Sequence, residues 1–203
     1  MNTRVSKGEA TRSAVLDEAV ETAARLGLAG LTIGSLAARV ELSKSGLFAH
    51  FKSKELLQLK VLERARDLFV EDVVRPALRA PRGERRVRTL FEHWLEINRS
   101  GSSGCLFVSA SAEFDDQPGP VRDQLVRDHR DLAESVAQMF RTGVAEGEFR
   151  ADADPDQFAY DLYSTMLGYF HAHRLLDEPK AEARARHSFE ALLAAARVPE
   201  RAS

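Results

Sequence analysis

Thr32-Ile33-Gly34-Ser35-Leu36-Ala37-Ala38-Arg39-Val40-Glu41-Leu42-Ser43-Lys44-Ser45-Gly46-Leu47-Phe48-Ala49-His50-Phe51 carries two short helices almost end to end. Ile33, Leu36, Ala37 and Val40 recur at the spacing of one helical face, and Thr32 ahead of them is a good N-cap. Leu42, Leu47 and Phe51 supply a second apolar face. Ser43 is again an N-cap residue, so the second helix starts almost at once, which is helix-turn-helix spacing.

Along the second helix the residues divide cleanly: Leu47 and Phe51 are expected to point inward, while Lys44, Ser45 and Phe48 share the opposite face. Such a helix suits a major groove, where Lys reaches guanine acceptors, Ser pairs with several base edges and Phe touches thymine methyls. Lys52-Ser53-Lys54-Glu55 then adds a third N-cap with cations beside it, and a helix N-terminus flanked by lysines suits a phosphate.

On these residues the chain resembles the tetracycline-repressor (TetR) family of bacterial transcription regulators. The matching positions are Leu31-Thr32, Leu36-Ala37, Val40, Leu42-Ser43-Lys44, Leu47-Phe48, His50-Phe51-Lys52 and Lys54-Glu55-Leu56, over about fifty residues. The resemblance implies that Thr32, Phe48, His50 and Lys54 hold the DNA backbone while Lys44, Ser45 and Gly46 approach bases; Ser43 and Lys52 complete the expected DNA-binding set. Three positions depart from the family pattern. Glu41 stands where Gly is usual, and since a left-handed residue other than Gly costs roughly 1 kcal/mol or more, a reshaped turn is expected there. Ser45-Gly46 replaces the usual Gly followed by a small residue, and Phe48 replaces a Tyr, removing a hydroxyl that would bind phosphate.

The 203 residues are enough for one or two modest domains, and 44% hydrophobic residues can fill a core. Pro and Gly are few and scattered and no period-two alternation runs far, which predicts an all-α chain of about nine helices. A single Cys excludes an internal disulfide framework. Without a signal-like leader or an apolar run of membrane-spanning length, a cytoplasmic protein is expected. The net charge of −2 is unevenly spread: residues 1–60 hold nine Lys/Arg and six Asp/Glu, or +3, leaving 20 and 25, or −5, for the remainder. The positive end is the helix-turn-helix end, as phosphate contacts require.

In chain order, Arg4 and Lys7 lie in a polar start that reads either as a short DNA-reaching arm or as a frayed terminus. A first helix from Glu9 to Leu26 closes at Gly27 and Gly30. After Ser53 a long helix should run to about Val74 and end or kink at Pro76, connecting the DNA end to the rest of the chain. Further helices are expected over residues 84–98, 105–114, 121–146, 156–176 and 180–197. The 156–176 segment is apolar nearly all round and must be buried on two sides. The expected division is a helix-turn-helix DNA-binding domain over 1–53 and a helical effector-binding and dimerisation domain over 54–203. The resemblance implies that the last two long helices pair with a second subunit as a four-helix bundle, for which Leu162, Tyr169, Phe170, His173, Phe189, Leu192 and Ala196 are candidates.

Catalysis, metals and cofactors find no support. None of the six His has a Glu three residues before it, and His171 and His173 diverge around a helix. Glu113, Asp115 and Asp116 stand at a helix end before Pro118 with no base, nucleophile or phosphate loop beside them. Cys105 follows Gly104 at a helix start, where a thiolate would be stabilised, but a lone Cys is more often a small buried hydrophobe. Phe91, Trp94, Phe107, Phe140, Tyr163 and Met166, with Asn98 and His129 as polar members, form the candidate ligand pocket. Two function classes remain: a ligand-responsive DNA-binding repressor with a double-stranded operator, a small-molecule effector and a homodimer as partners, or a helical interaction protein or enzyme whose helix-turn-helix only packs. Steeply salt-dependent duplex binding separates them, and the outward Lys44, Ser45 and Phe48 favour the first.

Overall fold

The computed structural model describes residues 7–100 and 105–199. The elements in order are α1 (Lys7–Leu26), α2 (Ile33–Arg39), α3 (Lys44–Phe51), α4 (Lys54–Phe69), a π-helical turn (Val70–Val74), α5 (Arg75–Arg79), α6 (Glu84–Ser100), α7 (Leu106–Phe114), α8 (Pro120–Ala145), α9 (Pro155–Arg174) and α10 (Ala181–Ala196). With α4 to α5 taken as one continuous run there are nine helical stretches among the described residues. The extended pairing among these residues is a lone antiparallel bridge between Phe149 and Arg197. The all-α expectation holds. Of the polar start, read either as an arm or as a frayed terminus, Arg4 lies outside the described residues, and Lys7 opens α1. No helix among the described residues is long and apolar enough to cross a membrane.

The run after Ser53 does not stop at Pro76. Between α4 and α5 the hydrogen-bond ladder shifts register, with Arg75 N–H bonding to Val70 O, and Pro76 falls in the first turn of α5. A first-turn position needs no N–H donor, so the π turn lets the helical path continue through a residue that would otherwise break it. The run ends instead at Arg79, where Ala80 becomes extended.

Two compact units divide the chain without following its order. One is Met1–Leu68 with Ser102–Arg127; the other is Phe69–Gly101 with Asp128–Ser203. The core of the first gathers Ala19 and Ala23 of α1, Leu36 of α2, Leu47 and Phe51 of α3, and Leu57 and Val61 of α4, together with Leu106, Ala110, Phe114, Val121 and Leu125 from α7 and the start of α8. Ion pairs tie α1 to its neighbours: Glu18 to Arg39 at 2.5 Å and Asp17 to Arg64 at 2.6 Å. The Arg39 guanidinium bonded to Glu18 holds that carboxyl below its ordinary range.

The second unit is built on aromatic rings. Phe91 stacks on Phe189 with centroids 4.1 Å apart, and Phe140, Phe149 and Phe158 form a three-ring cluster with centroid distances of 4.6, 4.5 and 6.0 Å. Trp94 meets Tyr169 edge-on at 5.4 Å. Gly143 makes the Phe149 contact possible, because a Cβ there would sit 2.5 Å from that ring. At one end Glu84 takes two bonds of 2.6 Å from Arg197 and one of 2.8 Å from Arg88, which also pairs with Glu190. Arg197 first, and Arg88 after it, holds the Glu84 carboxyl down at about 2.

Candidate nucleic-acid interface

Thr32 begins α2 in extended conformation, and its hydroxyl accepts the Ser35 N–H at 3.0 Å while Ser35 Oγ accepts the Thr32 N–H at 3.0 Å. This reciprocal cap satisfies two donors that the first turn leaves over. Leu36 and Ala37 are buried. Val40 ends the helix and Glu41 takes φ +54°, so the turn keeps its left-handed residue without glycine and is not reshaped. Ser43 then caps α3 by accepting the Gly46 N–H at 3.1 Å. Leu42 departs from the expected inward face: it is 39% exposed, because it lies in the turn before the cap, its N–H bonding to Ala37 O.

Within α3 the predicted division is observed. Leu47 and Phe51 are buried, and Lys44, Ser45, Gly46, Phe48 and His50 are exposed, Phe48 by 58%. The Ser45 hydroxyl lies 3.2 Å from that of Ser43, so the outer face of the first turn is ordered by its own cap. The Lys44 stem lies over Gly34, its Cε 3.5 Å from where a Cβ would stand.

The exit from α3 is as constrained as its entry. Lys52 takes φ +61° and ψ −38°, and Ser53 N–H bonds back to Phe51 O at 2.6 Å, closing a three-residue turn. Ser53 thereby caps α4 through the Leu56 N–H at 3.1 Å. Two non-glycine left-handed residues, Glu41 and Lys52, thus bracket α3, and such strain collects where surrounding structure serves function. Glu41 is marked in the sequence by its departure from a family pattern; nothing in the sequence marks Lys52. Thr32 and Ser43 stand at the starts of α2 and α3, Lys52 at the end of α3 and Lys54 at the start of α4, where Lys54 Nζ donates to Ala29 O at 2.6 Å.

The candidate pocket residues are only partly brought together. Phe91, Trp94, Phe140 and Met166 are buried in the second unit's core. Asn98 is 2% exposed, gives its Nδ2–H to Trp94 O at 2.8 Å, and leaves Oδ1 without a hydrogen-bond partner. Tyr163 OH lies 3.2 Å from His129 Nδ1, joining α9 to α8. Phe107 sits on α7, partly buried against the first unit's core. Cys105 is the half-buried N-cap residue of α7. An open cleft in the second unit, about 820 Å³, is lined by none of these residues; Glu84, Arg88, Glu92, His93, Glu148 and Arg197 are among those lining it. Its acid-base spacing on α6, Glu84-Arg88-Glu92, is the signal the sequence carries for it.

Of the candidate dimer residues, Leu162, Tyr169, Phe189 and Ala196 are turned into the second unit's core, whereas Phe170, His173 and Leu192 are half-buried. The outward face of α9 is instead Tyr160, Ser164, Leu167, Gly168 and His171, with Tyr160 68% exposed and open space at Gly168.

A capped helix-turn-helix with an exposed cationic-aromatic face, in an all-helical chain that also holds a second packed unit, defines the class of helical DNA-binding regulators. Residues 15–60 match the family model for bacterial regulatory proteins of the tetR family, and residues 83–189 match that for the tetracyclin repressor-like C-terminal domain. The chain belongs to the TetR family of transcriptional regulators. It is 25% identical over 162 residues to the HTH-type transcriptional repressor NemR of Escherichia coli strain K12, covering 78% of this chain and 81% of NemR. Among solved structures, a TetR transcriptional regulator from Chloroflexus aurantiacus J-10-FL superposes with a TM-score of 0.84 at 24% identity, covering 95% of this chain and 99% of that one. AibR, solved with isovaleryl coenzyme A and operator DNA, superposes with a TM-score of 0.67 at 21% identity, over 87% and 97% of the two chains.

Proposed function

We propose that this regulator is a repressor that binds a near-palindromic operator as a homodimer and leaves it when a small molecule enters the C-terminal part of the chain. In this reading residues 1–53 are the DNA-binding domain, and residues 54–203 bind the effector and dimerise. The observation that carries it is the outer face of α3, where Lys44, Ser45 and Phe48 are exposed between two fixed ends while Leu47 and Phe51 anchor the helix. Lys44 and Ser45 read bases, Phe48 meets thymine methyls, and Thr32, His50, Lys52 and Lys54 approach phosphates. Two copies of α3 related by a two-fold axis require inverted half-sites.

The second copy covers the α9 face of Tyr160, Ser164, Leu167 and Gly168, whose apolar and small side chains allow close approach of another helix. Effector binding falls to the apolar second unit, with Asn98, His129 and Tyr163 orienting an uncharged or weakly polar ligand; the unpartnered Asn98 Oδ1 is an acceptor ready for a ligand donor. The precedent in AibR, whose structure holds both a ligand and operator DNA, supports the same pairing of roles. A ligand that favours the non-binding arrangement by about 1.4 kcal/mol lowers operator affinity tenfold.

Selection of duplexes from a random pool, followed by titration at several salt concentrations, tests the reading. The parent should enrich inverted repeats with a steep salt slope. Lys44→Ala should lose about 1–3 kcal/mol of discrimination at one position of each half-site. If no duplex is enriched, or if Lys44→Ala binds with unchanged base preference, the assignment of α3 fails.

A further inference from the structure

Glu113, the last turn's acidic residue on α7, lays its carboxylate against the turn that joins α1 to α2. It accepts Leu28 N–H at 3.2 Å and Ala29 N–H at 2.6 Å. The carbonyls of the same two residues are also taken by side chains: Gln58 Nε2 donates to Leu28 O at 2.9 Å and Lys54 Nζ to Ala29 O at 2.6 Å. All four backbone polar groups of residues 28 and 29 are therefore held, two from α7 and two from α4. Surface turns ordinarily leave such groups to water. Here Leu28 and Leu31 are fully buried, while Ala29 is half-buried and Gly30 exposed, so the turn is pinned into the core at its two leucines and its polar groups, partly withdrawn from water, take partners within the protein.

Gly27 fits this contact on two counts. It takes φ +88°, and a Cβ built on it would stand 2.7 Å from Glu113 Oε1. A side chain at residue 27 would thus both strain the backbone and push the carboxylate away. Past the turn, Leu31 is buried and Thr32 caps α2, which leads directly into α3. The position of the turn consequently sets where α2 starts and how α3 is presented.

We propose that Glu113 is a positioning residue for operator recognition: by holding the 28–29 turn it fixes the helix-turn-helix, although it stands 85 residues downstream of Leu28. A change at α7 reaches α2 through this carboxylate. Bonds from an ionised carboxylate to N–H groups are stronger than neutral ones, so an amide in its place holds the turn less firmly. This role rests on the DNA-binding reading of α3.

The test uses the full chain and two readouts: amide exchange at Leu28 and Ala29, which needs no DNA, and affinity for a selected operator. Glu113→Ala should speed exchange at both amides by about tenfold and weaken operator binding by about tenfold, which is ~1.4 kcal/mol. The slope of affinity against salt should stay the same, since no phosphate contact is lost. Glu113→Gln should restore part of both, and Asp116→Asn, on the same acidic segment, should leave both unchanged. Unaltered exchange in Glu113→Ala overturns the proposal, and so does faster exchange with undiminished operator affinity. A loss of affinity confined to temperatures at which the variant melts would reduce Glu113 to an ordinary stabilising contact and overturn it as well. If Glu113→Ala does not fold, Glu113→Gln compared with the parent at the same two amides and on the same operator decides. A parent that binds no duplex overturns the reading of α3, and the exchange comparison keeps that failure distinct.

Discussion

Phe48 and Phe140 share one side-chain chemistry and have opposite surroundings. Phe48 is 58% exposed on α3, beside Lys44 and Ser45; Phe140 is fully buried in contact with two other rings. The contrast extends to the regions around them. In the helix-turn-helix, polar, charged and small residues occupy most positions the core does not need, so a large aromatic ring left outside stands out. In the second unit apolar faces meet apolar faces on several helices, and a pocket wall has the same composition as a core. A functional face can be read where it interrupts a pattern, and is concealed where it continues one.

The largest test of that contrast is at Phe140. As a packed core ring, Phe140→Ala should cost about 3–5 kcal/mol, since it leaves a ring-sized space beside Phe149 and Phe158. At roughly 2–4 °C per kcal/mol for a chain of this size, thermal melting should fall by about ten degrees. Operator affinity measured well below the new midpoint should not change. A loss under about 1 kcal/mol would mean that the ring borders open space, and would move Phe140 from core to pocket.

The same contrast explains which features are legible in the sequence. The caps at Thr32 and Ser43 and the buried Leu47 and Phe51 follow from local spacing, so α2 and α3 can be read residue by residue. Leu42 escapes that reading because periodicity does not show that a residue has left the helix for its turn. Pro76 reads as a stop or a kink because the register shift at Val70–Val74, which accommodates it, leaves no compositional mark. The packing of α7 and the start of α8 with the first unit is also illegible: the stripe of Leu106, Ala110 and Phe114 specifies a buried face but not its partner. Glu113 reads as a turn acid for a similar reason, since its partners are backbone amides far away in sequence. The Tyr163–His129 hydrogen bond joins two candidates for one pocket.

A smaller effect separates the units by their charges. Glu84 of the second unit, held at about 2 by Arg197 and then Arg88, is ionised in the folded chain at pH values where its unfolded counterpart, near 4.5, takes up a proton. Its contribution is fully present above about 4.5 and is lost as pH falls from there toward 2. Glu84→Gln should therefore lower the melting temperature at neutral pH and flatten its decline across that acid window. Glu18 of the first unit is also lowered, by Arg39, but it is half-buried and takes one bond from one arginine where Glu84 takes three from two, so Glu18→Gln should change the acid profile less. Equal flattening by the two substitutions would remove this distinction.

The smallest expected effect is at Glu41. Its φ of +54° places a side chain in the left-handed region, where residues other than glycine bear roughly 1 kcal/mol or more. Glycine removes that cost but gives the unfolded chain more freedom, about 0.5–1 kcal/mol in the opposite direction. The net gain from Glu41→Gly should thus be a few tenths of a kcal/mol, raising the melting temperature by about 1 °C. Operator binding should respond differently from stability. A glycine in the turn no longer fixes the angle between α2 and α3, so affinity should stay level or fall slightly while stability rises. If Glu41→Gly instead melts lower than the parent, the left-handed residue is held by contacts of its own side chain, and the turn owes its shape to Glu41 rather than tolerating it.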